Sequence, residues 1–262
     1  MELSEIVYAV EENVGHITFN QPESMNSLTL NTVQELLQAV LAADDDPGVR
    51  AVLIDAKGKM FSAGGNVKFF HEQGDRLART LKEMTTYLHA AQSRLARMTA
   101  PVVIAVQGTA AGGGMSLAVS GDLTLAAESA KFTMAYTAAG LSPDGGSTFN
   151  LPRLIGLQRT KELMLTNRVL SAAEAREWGL ITRVVPDEKL GEEAGNLARQ
   201  LAQGPTRALG AVKRMLADTL STPYETQMEL ESEQISAMGR TVDAREGIEA
   251  FATKRKPKFS GN

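Results

Sequence analysis

Residues 103–122, VIAVQGTAAGGGMSLAVSGD, place the tightest limit on how this chain can fold. The stretch starts as an apolar run that reads as a buried strand. Residues 108–114 then contain nothing but Gly, Thr and Ala, and a helix-like apolar pattern follows. Such a segment presents bare main chain at the start of a helix. The first four N–H groups of a helix have no acceptor inside it and lie at the positive end of its dipole. A strand feeding that end makes an anion site, and glycine lets a ligand approach the backbone closely.

Three familiar loops of this kind fail. Gly108 and Gly113 have the spacing of a P-loop, but Gly114 and Met115 follow where Lys and Ser/Thr are required. A dinucleotide G-x-G-x-x-G starting at Gly112 fails because Leu117 occupies the third glycine position. Gly114-Met-Ser116-Leu-Ala118 approximates a nucleophile elbow, but Ser116 lies well past the strand and no histidine follows it. What remains is an anion that develops during reaction, an oxyanion, for which backbone donors are effective. Such a hole takes a second donor from elsewhere. The candidate is FSAGGNVKFF at 61–70, a strand end followed by small residues and by Asn66 as a helix cap. The competing reading of each glycine run is close strand–helix packing and nothing more.

Around these loops the chain reads as two strands over 6–20 turning at 11–13, a helix over 28–41, a strand at 49–56, and a helix over 76–98. That long helix carries the stripe Leu77, Leu81, Met84, Leu88, Ala91, Leu95, Met98 at alternating steps of four and three. A strand at 101–106 and two more over 122–135 follow. The order is a strand–strand–helix rhythm to about residue 185, and helices thereafter. Ser171 and Glu174 form a capping box. Thr222 and Glu225 have the same spacing with Pro223 between them, and residues 203–205 break the helical region. The basic tail KRKPK at 254–258 is expected to be solvated.

With 262 residues, 43% of them hydrophobic, one large domain or one with an appendage is expected, with a sizeable core. A net charge of −4 argues against a nucleic-acid surface. No apolar run is long enough for a membrane span, and the acidic N-terminus lacks signal-peptide character; a cytoplasmic protein is expected. There is no cysteine, and the three histidines, His16, His71 and His89, are scattered, so no metal site is expected.

Taken together, NQPESMNSL, FSAGGN, PVVIAVQGTAAGGG, GLSPDGGSTFNLPRLIG, LTNRVLSAAEAREWGLITRVV and EGIEAFATKRKPKF resemble the enoyl-CoA hydratase/isomerase (crotonase) family in order and spacing. The resemblance implies an α/β fold, a spiral of strand–strand–helix turns with a helical C-terminal region that builds trimers or hexamers. It divides the chain into a spiral core over 1–200 that binds acyl-CoA and a helical region over 201–262 for oligomerisation and site closure. It implies acyl-CoA thioesters as substrates, no separate cofactor, and an enolate held by two backbone amides, which fall on Gly65 and Gly113. Contacts to the CoA moiety fall on Ala63, Gly64, Asn66 and Val67, and Lys254 matches a basic residue that reaches the CoA phosphates of a neighbouring subunit.

The two glutamates with which the family's hydratases handle water fall on Ser116 and Tyr136, neither a carboxylate. The carboxylate in a family catalytic position is Asp144, in LSPDGGS. The resemblance therefore favours an isomerase of the double-bond or ring-epoxide type, with Asp144 moving a proton between carbons. Asp144 also reads as an ordinary turn residue, since Pro-Asp-Gly-Gly is a turn signal. Alternatives are a hydratase of atypical mechanism and a dehalogenase-like reaction with Asp144 as nucleophile and His89 as the base that activates water. His89 also reads as a helix histidine bonded to a neighbour, and Tyr136 as either core or pocket lining. RNA-binding and scaffold members of the family supply the non-enzyme alternatives.

Overall fold

Continuous apolar runs such as Val102–Val106 suit strands covered on both faces, and the core is built on them. A computed structural model describes residues 3–262. β1 (Ile6–Glu11) and β2 (Val14–Phe19) pair antiparallel, Ile6 opposite Phe19. Their turn places Glu12 and Asn13 at φ 49° and 65°. β3 (Ala51–Ala56), β5 (Val102–Val106), β7 (Leu123–Ala127) and β10 (Arg183–Val185) extend this sheet, all parallel. A second sheet orders β4 (Met60–Ser62), β6 (Thr109–Ala111), β8 (Lys131–Thr133) and β9 (Leu170–Ser171) side by side.

The expected rhythm is explained by the two sheets. β3, β5 and β7 of the first are each followed by a short strand of the second and then by a helix: α2 (Val67–Gln73), α4 (Gly113–Ala118) and α5 (Ser147–Thr166). α1 (Leu30–Asp45) and α3 (Leu77–Arg97) pack together. The fold is the mixed α/β spiral expected, ending in helices.

Two local expectations are corrected. The first helix starts at Leu30, not 28, because Thr29 is extended and caps it in a reciprocal box with Thr32. Leu28 instead bridges to Gly65: its amide donates to Gly64 O at 2.7 Å, and Asn66 N donates to Leu28 O at 3.1 Å. The Thr222 capping box does not form. Thr222 Oγ1 donates to Asp218 O at 2.8 Å, closing the end of α8 (Thr206–Asp218), and α9 (Tyr224–Met238) has Pro223 at its cap. The Ser171–Glu174 box does form, opening α6 (Ala172–Trp178).

α7 (Leu190–Ala202) runs through residue 200, so the break in the chain comes at 203–205, before α8. Arg50 ties the tail down by donating to Gly204 O at 2.7 Å and Phe259 O at 3.2 Å. α10 (Val242–Ala252) receives the tail as well: Asp243 accepts the amides of Ser260 and Gly261 at 2.7 and 2.8 Å. Within the basic tail Arg255 is paired with Glu246, while Lys254, Lys256 and Lys258 are exposed. No helix is long and apolar enough to cross a membrane among the described residues.

α8 packs against α3, and its Lys213 reaches Asp122, just before β7, in an ion pair buried on the lysine side. Lys213 Nζ lies 2.7 Å from Asp122 Oδ2 with its side chain 6% exposed, and it also donates to Ala100 O. Burial pushes the Lys213 ammonium below the ordinary lysine range, and Asp122 pulls it part of the way back. Above the folded-state value the unfolded chain holds the extra proton, so stability rises with pH until the ordinary lysine value is reached. In alkaline thermal unfolding, wild type is therefore expected to gain stability with rising pH relative to Lys213→Met. Parallel curves for the two proteins would show that Lys213 contributes no such linkage.

Candidate active site

The loop after β4 is assembled by Asn26, which is 1% exposed. Its Nδ2 donates to Lys57 O at 2.8 Å and Met60 O at 2.9 Å, and its Oδ1 accepts the Gln21 amide at 2.9 Å. Ser62 Oγ donates to Asn26 O at 2.7 Å and accepts the Gly64 amide at 3.1 Å. Ala63 N donates to Met25 O at 3.0 Å and Asn66 N to Leu28 O. The Gly65 amide, between these, has no acceptor among the described residues.

The second loop leads from β6 into α4. Gly112 N donates to Thr133 O at 3.0 Å. Gly113 is the first residue of the helix, and its amide also lacks an acceptor among the described residues. The two loops touch. A Cβ on Gly64, at φ +79°, would stand 2.5 Å from Ala111 O and 3.0 Å from Gly113 N. A Cβ on Gly114 would stand 2.6 Å from Ser62 O. Glycine is needed at both for the main chains to meet.

Gly65 and Gly113 open onto one cavity of about 440 Å³. Leu77, Leu81, Met84 and Leu88 of α3 form one wall, and Val67, Phe70 and His71 of α2 another. Ala63, Tyr136 and Asp144 line it too, and Asp144 is the one carboxylate among the lining residues. Asp144 stands in a turn before α5. Its main-chain oxygen accepts Ser147 N at 3.2 Å and Ser147 Oγ at 2.8 Å, and Gly145 and Gly146 follow at φ +59° and +69°. The Tyr136 hydroxyl donates to Asp144 Oδ1 and lies 3.0 Å from Ser116 Oγ. Burial, with the Asp144 carboxylate alongside, holds the Tyr136 phenol above its ordinary value, so it remains a donor. Asp144 Oδ2 has no hydrogen-bond partner among the described residues.

The sequence-derived residues thus divide. Ala63, Gly65, Val67, Gly113, Tyr136 and Asp144 come together at the cavity. Gly64 and Asn66 do not line it. Gly64 makes the loop contact, and Asn66 caps α2 by accepting Phe69 N at 2.9 Å while donating to Ser27 Oγ. Lys254 is exposed past the end of α10, away from the cavity. His89 is exposed on α3 and outside the cavity lining, and its Nε2 accepts the Gly145 amide at 3.1 Å. The structure thus places His89 as the helix histidine bonded to a neighbour, and not at the cavity wall where a water-activating base would stand. His71 was missed. The signal was available, since a helix capped at Asn66 puts residues 67, 70 and 71 on one face.

A family model described as enoyl-CoA hydratase/isomerase matches residues 9–262. The chain belongs to the enoyl-CoA hydratase/isomerase family. Relatives of this family member differ in chemistry. It is 38% identical to the 1,2-epoxyphenylacetyl-CoA isomerase of Escherichia coli K12, over 98% of each chain. It is 32% identical to 4-chlorobenzoyl coenzyme A dehalogenase-2 of an Arthrobacter species, over 86% of this chain and 82% of that one. Its fold matches the crystal structure of an enoyl-CoA hydratase from Bacillus anthracis with a TM-score of 0.92, 30% identity, and coverage of 99% and 100%.

Asn26→Ala strands two carbonyls and one amide around this loop. It is expected to lower the unfolding free energy by roughly 3 kcal/mol, since unmet buried groups cost about 1–3 kcal/mol each. Urea unfolding of the variant measures this; an unchanged midpoint would show that Asn26 does not hold the loop.

Proposed function

We propose that this family member is an acyl-CoA isomerase, of the double-bond or ring-epoxide type, that works through a thioester enolate. The observation that carries the reading is a single carboxylate, Asp144, in an otherwise largely apolar cavity onto which two unpartnered backbone amides open. In this reading the Gly65 and Gly113 amides donate to the thioester oxygen. Asp144 Oδ2 takes a proton from a carbon near the thioester. The C–H electron pair moves into the acyl system, and negative charge builds on the oxygen between the two amides. With a double-bond substrate the same carboxyl then returns the proton to another carbon, so the double bond moves and no atom is gained or lost.

Tyr136 supports this division of labour. By donating to Oδ1 it orients the carboxylate and leaves Oδ2 for the substrate. Ser116 and Tyr136 occupy positions where, by the resemblance, hydratases carry carboxylates, and neither can activate water as those do. Support also comes from the name of the Escherichia coli relative, an isomerase of an epoxide-bearing acyl-CoA. The apolar walls from α2 and α3 suit a bulky acyl group.

We further propose that α8–α10 associate with other copies of the chain as a trimer or dimer of trimers. They expose large apolar side chains, among them Ile235, Ile248 and Phe251 at 75%, 72% and 88%, far more than a solvated face needs. Light scattering is expected to give three or six subunits; a monomer at micromolar concentration would end this reading.

The enzymatic reading is tested with a panel of 3-enoyl-CoA, ring-epoxide acyl-CoA, crotonyl-CoA and haloaroyl-CoA thioesters. Isomerisation is expected, with kcat falling about 1,000-fold in Asp144→Ala and about 10-fold in Tyr136→Phe, which removes one bond to a charged group. Fast hydration of crotonyl-CoA that survives Asp144→Ala would overturn the proposal.

A further inference from the structure

A carboxylate that shuttles a proton must be held to within a fraction of an ångström, since a misplacement of about 1 Å can cost on the order of 100-fold in rate. Asp144 sits in a turn followed by two glycines at positive φ, a backbone free to adopt many conformations unless its neighbours fix it. What fixes it can be read bond by bond. Tyr136 holds the carboxylate, and Ser147 closes the turn on the main-chain oxygen. The remaining tie is the Gly145 amide, immediately after Asp144. It donates out of the turn, across to α3, to His89 Nε2 at 3.1 Å.

Gly145 is also tightly enclosed. A Cβ there would stand 2.8 Å from Ser116 Cβ and 3.2 Å from Gln92 Oε1. The turn therefore rests directly on α4 and α3, and its amide has one direction in which to point. On α3, Leu88 and Met84 line the cavity while Gln92 is buried beneath Gly145. The residue beside Leu88 thus grips the turn that carries the carboxylate.

We propose that His89 is a positioning residue: its Nε2 accepts the Gly145 amide and so fixes the Asp144 carboxylate over the cavity. The inference rests on the assignment of Asp144 as the proton carrier and adds a role that the base reading of His89 does not contain. The imidazole must be neutral and carry its proton on Nδ1, because a ring protonated at Nε2 would set one N–H against another.

The test combines a spectroscopic and a kinetic arm on the full-length protein. In the first, two-bond 1H–15N correlation spectra of 15N-histidine-labelled enzyme near pH 8 report the tautomer. The His89 signals are identified by their loss in His89→Gln. A neutral ring protonated at Nδ1 is expected; a ring protonated at Nε2 overturns the proposal. The tautomer itself is read on unmodified enzyme, and His16→Gln and His71→Gln assign the His89 signals by elimination if His89→Gln fails to fold.

In the second arm, the thioester isomerised by wild type is used to compare His89→Ala, His89→Gln and Asp144→Ala. His89→Ala is expected to lower kcat about 10- to 100-fold with KM changed less than about three-fold, because substrate binding is left in place. Glutamine sets its carbonyl oxygen near the site of Nε2, so His89→Gln is expected to recover at least half of that loss on a logarithmic scale. A histidine acting as base would not be rescued in this way, and failure of rescue overturns the proposal. If Asp144→Ala is inactive while His89→Ala keeps wild-type kcat, the positioning role alone falls. If Asp144→Ala keeps full rate, the functional reading falls and the positioning role with it.

Discussion

The constraint on which the site depends is the contact of two main chains without side chains between them. Gly64 lies against Ala111 O and Gly113 N at distances where no Cβ fits. This contact brings the loops after β4 and β6 together, and the cavity opens where they meet. Two amides in it, of Gly65 and Gly113, have no acceptor among the described residues, while the neighbours of Gly65 are all committed: Ala63 to Met25, Gly64 to Ser62, Asn66 to Leu28. Buried amides without partners are rare in folded proteins. Here they border a cavity of molecular size, and a bound carbonyl oxygen would complete them.

Polarity in the remainder of the cavity is sparse and ordered. Ser116, Tyr136 and Asp144 form one hydrogen-bonded run from the floor of α4 to the turn before α5. The run ends in a carboxylate with one oxygen engaged and one free. Relatives of similar overall identity carry names of different reactions. In the proposed function the shared scaffold supplies enolate stabilisation, and the outcome of the reaction depends on what stands at these few positions. On the same proposal, Ser116 and Tyr136 in place of acids leave Asp144 as the single proton carrier.

Much of this was legible in residue order. The glycine runs, the alternating strands and helices, the Ser171 box and the stripe on α3 each follow from local rules of backbone freedom and periodicity. What residue order left open has a shared physical cause. Whether Thr222 caps its own helix or closes the previous one depends on where the chain reverses, and spacing is the same in both cases. His89 and His71 are both helix histidines on the strand–strand–helix scaffold. Which one faces the cavity depends on how α2 and α3 lean on each other, a tertiary matter. Asn26 lay inside a motif noticed for its order, but its three hydrogen bonds reach residues up to 34 positions away.

α3 has a divided face. Ala91 and Leu95 are sealed in the core, while Leu77 and Leu81, earlier on the same stripe, are half-buried and border the cavity. Exchanging a side chain at the C-terminal end disturbs close packing that the whole domain relies on. Exchanging one at the N-terminal end reshapes a space already open. The helix can therefore be retailored for acyl groups of new outline at one end while its anchoring end stays unchanged, a separation that lets specificity drift without unfolding the scaffold.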